Sequence, residues 1–234
     1  MPADEVVSKE KGLAPFLSDL QAMAEAIMPR GVVAVCGDVD GDITALHAEE
    51  RLAVERAILR RQAEFAAGRL AARAALQQLG HLSVPIPAGA DRAPIWPDGI
   101  TGSISHCHTA VVAIAAHLDH RRRYLGVDIE VTGELEPDLW DSICGPDEIE
   151  WLNVHPDPAL WAKIMFSIKE AVYKAQFPLT GNMIDFKDVE ILGLDADGSF
   201  TARVLADDMK KVTGRFRASD LFILAVTMSW RPDG

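Results

Sequence analysis

Residues 124–130 read YLGVDIE, an apolar run that ends in two acids, Asp128 and Glu130. On a strand alternate side chains project to one face, so the two carboxylates point the same way. Like charges held together repel unless a cation lies between them. A donor set of carboxylate oxygens alone suits a hard cation such as Mg²⁺. Taken by itself, the pair reads equally well as two exposed acids closing a strand.

A second charged group lies in FSIKEAVYK at 166–174. Glu170 and Lys174 are four apart and share a helix face, while Lys169 points about a quarter-turn away. A plain salt bridge accounts for the pair, but a charged triplet in so apolar a helix points to a cleft or an interface. A third group is TGSISHC at 101–107, with Ser103, Ser105 and His106 among small residues. As a turn it offers backbone N–H groups and an imidazole to phosphate. A polar turn before a strand is the plainer reading. A Ser–His nucleophile is a third, and the G-x-S-x-G elbow it needs is missing. On the helical stretch 48–79, Arg56 and Arg60, and again Arg69 and Arg73, lie one turn apart, with Arg61 beside the first pair. By themselves they read as a solvated face with local ion pairs to Glu55 and Glu64. DVDGD at 38–42 has the acid spacing that opens a calcium loop, without the distal Glu such a loop requires.

Positioning these residues requires a mixed set of elements. Apolar spacing predicts a helix over 14–28 and a strand over 31–37. A long helix over 48–79 follows, closed by Gly80. Residues 81–99 are proline- and glycine-rich loop. A turn over 101–107 leads into a strand at 109–116. The basic connection HRRR (120–123) joins it to a strand at 123–131, and the short turn predicts that the two form a hairpin. Short helices and loops are expected over 132–160, then a helix over 158–177 stopped by Pro178. Strand-like pieces KDVEILGL, SFTARVLA and LFILAVTMSW end the chain, with DADG as a hairpin turn. Each half has a long helix followed by a very apolar strand, which favours two similar α+β subdomains meeting near 119–123.

Of the 234 residues 49% are hydrophobic and 25% charged, enough apolar material for a sizeable core. The net charge of −12 argues against a broad nucleic-acid surface, because neutralising phosphates takes Lys and Arg. Cys36, Cys107 and Cys144 are dispersed and odd in number, which argues against a disulfide framework or zinc site and for a reducing compartment. The start, MPADEVVSKEKG, lacks the apolar core of a signal peptide. The longest stretch free of Lys, Arg, Asp and Glu, 100–118, carries serines and histidines and is not read as a membrane span. A cytoplasmic location is the expectation.

The groups are specific in combination. S-x-S-H at 103–106, G-V-D-x-E at 126–130 and K-E-A-x-x-K at 169–174 together resemble the 4′-phosphopantetheinyl transferase family, in the branch like enterobactin synthetase component D. The likeness covers about residues 50–190 and extends to EFAAGRLAARAAL, APIWPDG and KAQFPLTGN. It implies an α+β fold of two pseudo-symmetric subdomains, 1–121 and 122–234, with the active site in the cleft between them. It implies Mg²⁺-dependent transfer, with Mn²⁺ an alternative, of 4′-phosphopantetheine from coenzyme A to a serine of an apo acyl, peptidyl or aryl carrier protein. 3′,5′-ADP leaves. The resemblance leaves fatty acid, polyketide, nonribosomal peptide and siderophore pathways open, with siderophore or peptide synthesis ahead.

Residue by residue, the resemblance assigns Asp128, Glu130 and Glu170, with the backbone of Ile129, to the metal. It makes Glu170, or a water it holds, the proton acceptor and Lys174 the contact to the phosphates, with Lys169 assisting. His106 binds phosphate, supported by the backbone of Ser105. Arg61 and Arg69 hold the 3′-phosphoadenosine end, and loop 88–91 (Ala88, Gly89, Ala90, Asp91) passes near the adenine. Relatives often carry a lysine where this chain has Ala88, and Arg92 substitutes from nearby. Phe166 stands where many have Trp. Carrier docking is expected over 140–165, with Trp140, Ile143, Trp151, Lys163 and Met165. A monomer is expected. Two other readings keep the same residues in view: a non-catalytic coenzyme A or carrier-protein binder, and an unrelated Mg²⁺-dependent pyrophosphate-cleaving hydrolase.

Overall fold

The computed structural model describes residues 16–82, 84–118, 123–205 and 211–230. The chain is α+β, with two antiparallel sheets. The first contains β1 (Val33–Asp38), β2 (Ile100–His106) and β3 (Ala110–His117) in the order β1-β3-β2. β3 is AVVAIAAH, apolar almost throughout, because it is the central strand and both its faces are covered. One face packs on α3 (Leu59–Gln78), where Ala71, Ala72, Ala75 and Leu76 meet Val111, Ala113 and Ala115. The other face packs on α1 (residues 16–27) and on the second sheet, with Val112 and Ile114 in one cluster with Leu20, Val127, Ile129 and Leu224.

The second sheet contains β4 (Arg123–Val131), β5 (Val189–Leu194), β6 (Ser199–Val204), β7 (Val212–Ala218) and β8 (Phe222–Trp230), in the order β4-β8-β7-β6-β5. Its far face carries α6 (Pro158–Thr180), whose Ile164, Ile168 and Val172 meet Val189, Phe200 and Ile223. Short helices α2 (Ala48–Arg51), α4 (Pro137–Ile143) and α5 (Pro146–Asn153) precede the two long ones.

Several sequence expectations are corrected. The helix expected over 48–79 is two, α2 and α3, parted by turns at 52–56. Glu50 is the reason: fully buried, it is drawn inward by Arg73 and by the N–H of Ile86, so the chain cannot continue straight. The polar TGSISH is a strand, not a turn. The hairpin expected between 109–116 and 123–131 does not form, because β3 already has β1 and β2 as neighbours while β4 pairs with β8. Pro178 does not stop α6. In the last turn it removes little, and the helix runs to Thr180 and is capped by Gly181 at φ 68°. β7 went unread. The start of the 14–28 helix and most of the HRRR connection, with the expected boundary at 119–123, lie outside the described residues. Among the described residues no helix is long and apolar enough to cross a membrane.

Candidate active site

The two sheets meet where the edge strands β2 and β4 run side by side. Among the described residues no backbone ladder joins them; instead the Ser103 and Ser105 hydroxyls accept from the N–H groups of Val127 (3.1 Å) and Ile129 (3.4 Å). Small polar residues therefore satisfy the free edge of β4, which explains a strand of such low intrinsic propensity. On the opposite side, α6 presses against β4 at Gly126. A Cβ there would stand 1.8 Å from the Ala171 carbonyl, so only glycine permits the approach. The result sets Lys174 against Asp128.

Asp128 is 4% exposed. Its Oδ1 accepts from Lys174 Nζ (2.7 Å) and from Ser105 Oγ (2.9 Å), and Lys174 also donates to Ser105 Oγ (2.9 Å). Its Oδ2 is buried and has no partner among the described residues. Glu130, one pleat on, is paired with Lys163 at 3.5 Å. Burial, with the charge of Asp128, raises the Glu130 carboxyl above its ordinary value. Glu170 is raised too, by burial first and then by Asp128 and Glu130, with Lys174 opposing.

Across a cavity of about 430 Å³ these acids face residues of the first sheet and α3: Arg61, Arg69, Ser105 and His106, with Arg92 from the loop before β2. Arg61 donates to His106 Nε2 at 2.8 Å. Burial, together with the Arg61 charge, holds the His106 imidazole below its ordinary value, so it is neutral near pH 7 and can accept that bond. Arg69 is 5% exposed, stacks on the Phe65 ring at 4.2 Å, and has a buried Nε with no partner. Burial lowers its guanidinium to about 10.

The structure thus brings together Arg61, Arg69, Arg92, Ser105, His106, Asp128, Glu130, Glu170 and Lys174. Gly89, Ala90 and Asp91 line an adjoining cavity of about 740 Å³ that shares Arg92 and Lys174 with the first. Ala88 lines neither; it packs against Leu46, Val54 and Phe65. Lys169 departs from expectation. Its side chain is 1% exposed and its ammonium donates to Glu148 Oε2 (2.6 Å) and to the Ile143 (2.8 Å) and Phe186 carbonyls, away from the acid pair. In the docking segment, Ile143 and Met165 are core residues with Cys144 and Leu152, so of the apolar residues expected there Trp151 is the exposed one. Phe65 was not foreseen as the platform for Arg69. A four-residue spacing on one helix face was its signal.

Among the described residues no group of three or more His, Cys, Asp or Glu side chains forms a ready metal shell. The two strand acids are each held by a lysine of α6 instead. The donor set nevertheless fits a hard divalent cation: it is all oxygen, Asp128 keeps an unpartnered buried oxygen, and Glu130 and Glu170 are raised by burial first and then by neighbouring carboxylates, in spite of the lysines beside them.

Residues 48–116 match the 4′-phosphopantetheinyl transferase N-terminal domain, and 124–223 match the 4′-phosphopantetheinyl transferase superfamily. The chain is similar to 4′-phosphopantetheinyl transferase Svp of Streptomyces mobaraensis, 39% identical over 78% of this chain and 76% of that one. It is similar to 4′-phosphopantetheinyl transferase Npt of Nocardia iowensis, 37% identical over 76% and 79%. It also matches enterobactin synthase component D of Salmonella typhi, 36% identical over 68% of each. The chain belongs to the 4′-phosphopantetheinyl transferase superfamily and is a transferase.

Proposed function

We propose that the protein moves 4′-phosphopantetheine from coenzyme A to a serine of an apo acyl, peptidyl or aryl carrier protein, with 3′,5′-ADP as the other product. The observation that carries this reading is two buried polar atoms without a hydrogen-bond partner among the described residues, on groups of opposite charge that line one cavity: Asp128 Oδ2, whose other oxygen is held by Lys174 and Ser105, and Arg69 Nε. A buried polar atom left without a partner is costly, and a metal–diphosphate substrate with a further phosphate satisfies both.

Arg69, Arg61 and Arg92 hold the 3′-phosphoadenosine end by charge-assisted hydrogen bonds. His106, neutral and oriented by Arg61, and Ser105 contact the diphosphate. Asp128, Glu130 and Glu170, with the Ile129 carbonyl, would hold Mg²⁺ or Mn²⁺, which when bound neutralises and orients the diphosphate. Glu170, whose raised carboxyl suits proton transfer, takes the proton of the incoming serine. The serine Oγ bonds to the phosphorus that carries pantetheine. The bond from that phosphorus to the bridging oxygen breaks, and Lys174 stabilises the charge that 3′,5′-ADP carries away. Gly89, Ala90 and Asp91 border the adenine. Lys169 keeps a scaffold role. The protein acts as a monomer in the cytoplasm, in siderophore or other secondary-metabolite biosynthesis; the likeness to an enterobactin synthase component supports that setting.

The test is the intact mass of an apo peptidyl carrier protein after incubation with this protein, coenzyme A and Mg²⁺, beside an Asp128→Ala control. A phosphopantetheine-sized gain that the control lacks supports the reading. No gain on peptidyl, aryl and acyl carriers alike, with coenzyme A still bound, favours a non-catalytic binder. Coenzyme A cleaved without any carrier favours a hydrolase.

A further inference from the structure

The acids of β4 are matched one to one by lysines of α6. Asp128 meets Lys174 and Glu130 meets Lys163. The two pairs differ. Lys174 is shared between Asp128 Oδ1 and Ser105, and it leaves Oδ2 open, so it need not move for Asp128 to gain a further partner. Lys163 has Glu130 as its sole ion partner among the described residues, and its side chain is 19% exposed against 27% for Glu130. Around Glu130 the charged groups are Asp128 and, on α6, Lys163, Glu170 and Lys174. The Lys163 ammonium lies 3.5 Å from Glu130 Oε2, so a cation that uses this oxygen competes with it.

We propose that Lys163 is the resident counter-ion of Glu130 and gives way when a divalent cation loads the site. This rests on the metal reading above. The ammonium keeps Glu130 from facing Asp128 and Glu170 unneutralised when no metal is bound. In exchange it sets a threshold: the pair must be broken before Glu130 can serve as a ligand. A pair with some solvent access of this kind is weak enough to break and strong enough to measure. Lys163 is a positioning residue on this account, since it acts through Glu130.

The measurement is Mn²⁺ binding to the full chain without coenzyme A or carrier, read from the free-Mn²⁺ electron paramagnetic resonance signal. Lys163→Met removes the charge and keeps the bulk. Its apparent Kd for Mn²⁺ is expected to fall by roughly fivefold, the ratio that loss of one weak ion pair gives. Lys163→Arg is expected to bind like the unchanged protein. Arg30→Gln, in the turn before β1 and lining neither cavity, controls for the general effect of removing a positive charge and is expected to shift Kd by less than about twofold. Equal or weaker Mn²⁺ binding in Lys163→Met, or an equal gain in Arg30→Gln, overturns the proposal while leaving the metal site standing. No Mn²⁺ binding by the unchanged protein removes the metal reading itself, and the proposal with it. If Lys163→Met fails to fold, Lys163→Gln is judged by the same criterion.

Discussion

In the first half of the chain Glu50 accepts from the N–H groups of His47 (2.9 Å) and Ile86 (2.9 Å) and pairs with Arg73, which also reaches the Ala45 carbonyl (2.7 Å). In the second half Glu148 accepts from the N–H groups of Gly145 (2.7 Å) and Ile191 (2.8 Å) and pairs with Lys169, which also reaches the Ile143 carbonyl (2.8 Å). The same brace is built twice: an acid on a short helix, a base on the long helix, a carbonyl five residues before the acid. The sheets repeat as well. β1-β3-β2 has the order and direction of β4-β8-β7. Gly102 on β2 and Gly214 on β7 each lie under an aromatic ring, Trp96 or Phe200, and against a carbonyl of the neighbouring strand.

These anchors align the halves. Asp128 and Glu130 fall on Val35 and Gly37, and Glu170 and Lys174 fall on Ala74 and Gln78. One copy of the scaffold carries the acids and the other is blank there, offering arginines from α3 and hydroxyls from β2 instead. The brace acids have every oxygen satisfied. The site acids do not, and on the function proposed above that contrast separates residues that hold the fold from residues that bind a ligand.

The contrast is broken most severely at Asp128. Asp128→Asn is expected to lower the rate of carrier-protein modification by ~10³-fold or more, with far-ultraviolet circular dichroism unchanged. A comparable loss of fold would place Asp128 with the brace. Next come the braces. Glu148→Gln and Glu50→Gln each leave a buried cation without its charge partner, and urea unfolding should show each about 3 kcal/mol less stable. Similar losses in both would sharpen the likeness of the halves, and a loss confined to one would end it. Gly126→Ala pushes α6 off β4, because the new Cβ meets the Ala171 carbonyl. It is expected to cost about 2 kcal/mol of stability and to lower activity more than that loss of folded protein explains, since Lys174 moves from Asp128.

How far these features were legible follows from where their signal lies. The acid pair and the Glu170–Lys174 pair are local: a period of two on β4 and a spacing of four on α6 announce them. β2 was not legible, because glycine and serine carry no strand preference; their place is earned by hydroxyls that serve the edge of β4. The false hairpin came from treating neighbours in sequence as neighbours in the sheet, when the partner of β4 lies at the far end of the chain. Lys169 sits inside the motif, and nothing nearby distinguishes it from Lys174. Its partner Glu148 is 21 residues away, beyond any periodic reading. The repeated brace was hidden for the same reason, with Arg in one copy and Lys in the other.

The finest test of the contrast compares Glu170 with Glu148 through pH. Burial and the charges of Asp128 and Glu130 raise the Glu170 carboxyl. A raised acid costs stability wherever the folded protein holds it ionised, above that raised value. The cost is relieved as pH falls through it and is gone below the unfolded value of about 4.3. Glu170→Gln removes the charge and the cost with it. In metal-free protein its Tm is therefore expected to rise by about 2 °C near neutral pH, and the gain to shrink toward zero as pH approaches about 4.5. Glu148→Gln moves in the opposite direction near neutral pH, because there the charge is held by Lys169 and two N–H groups. Scanning calorimetry of the two variants across that range reads the difference directly. A Tm that falls in Glu170→Gln as it does in Glu148→Gln would mean that Glu170 is held by the fold rather than kept for a cation, and the distinction between brace and site would fail at its central residue.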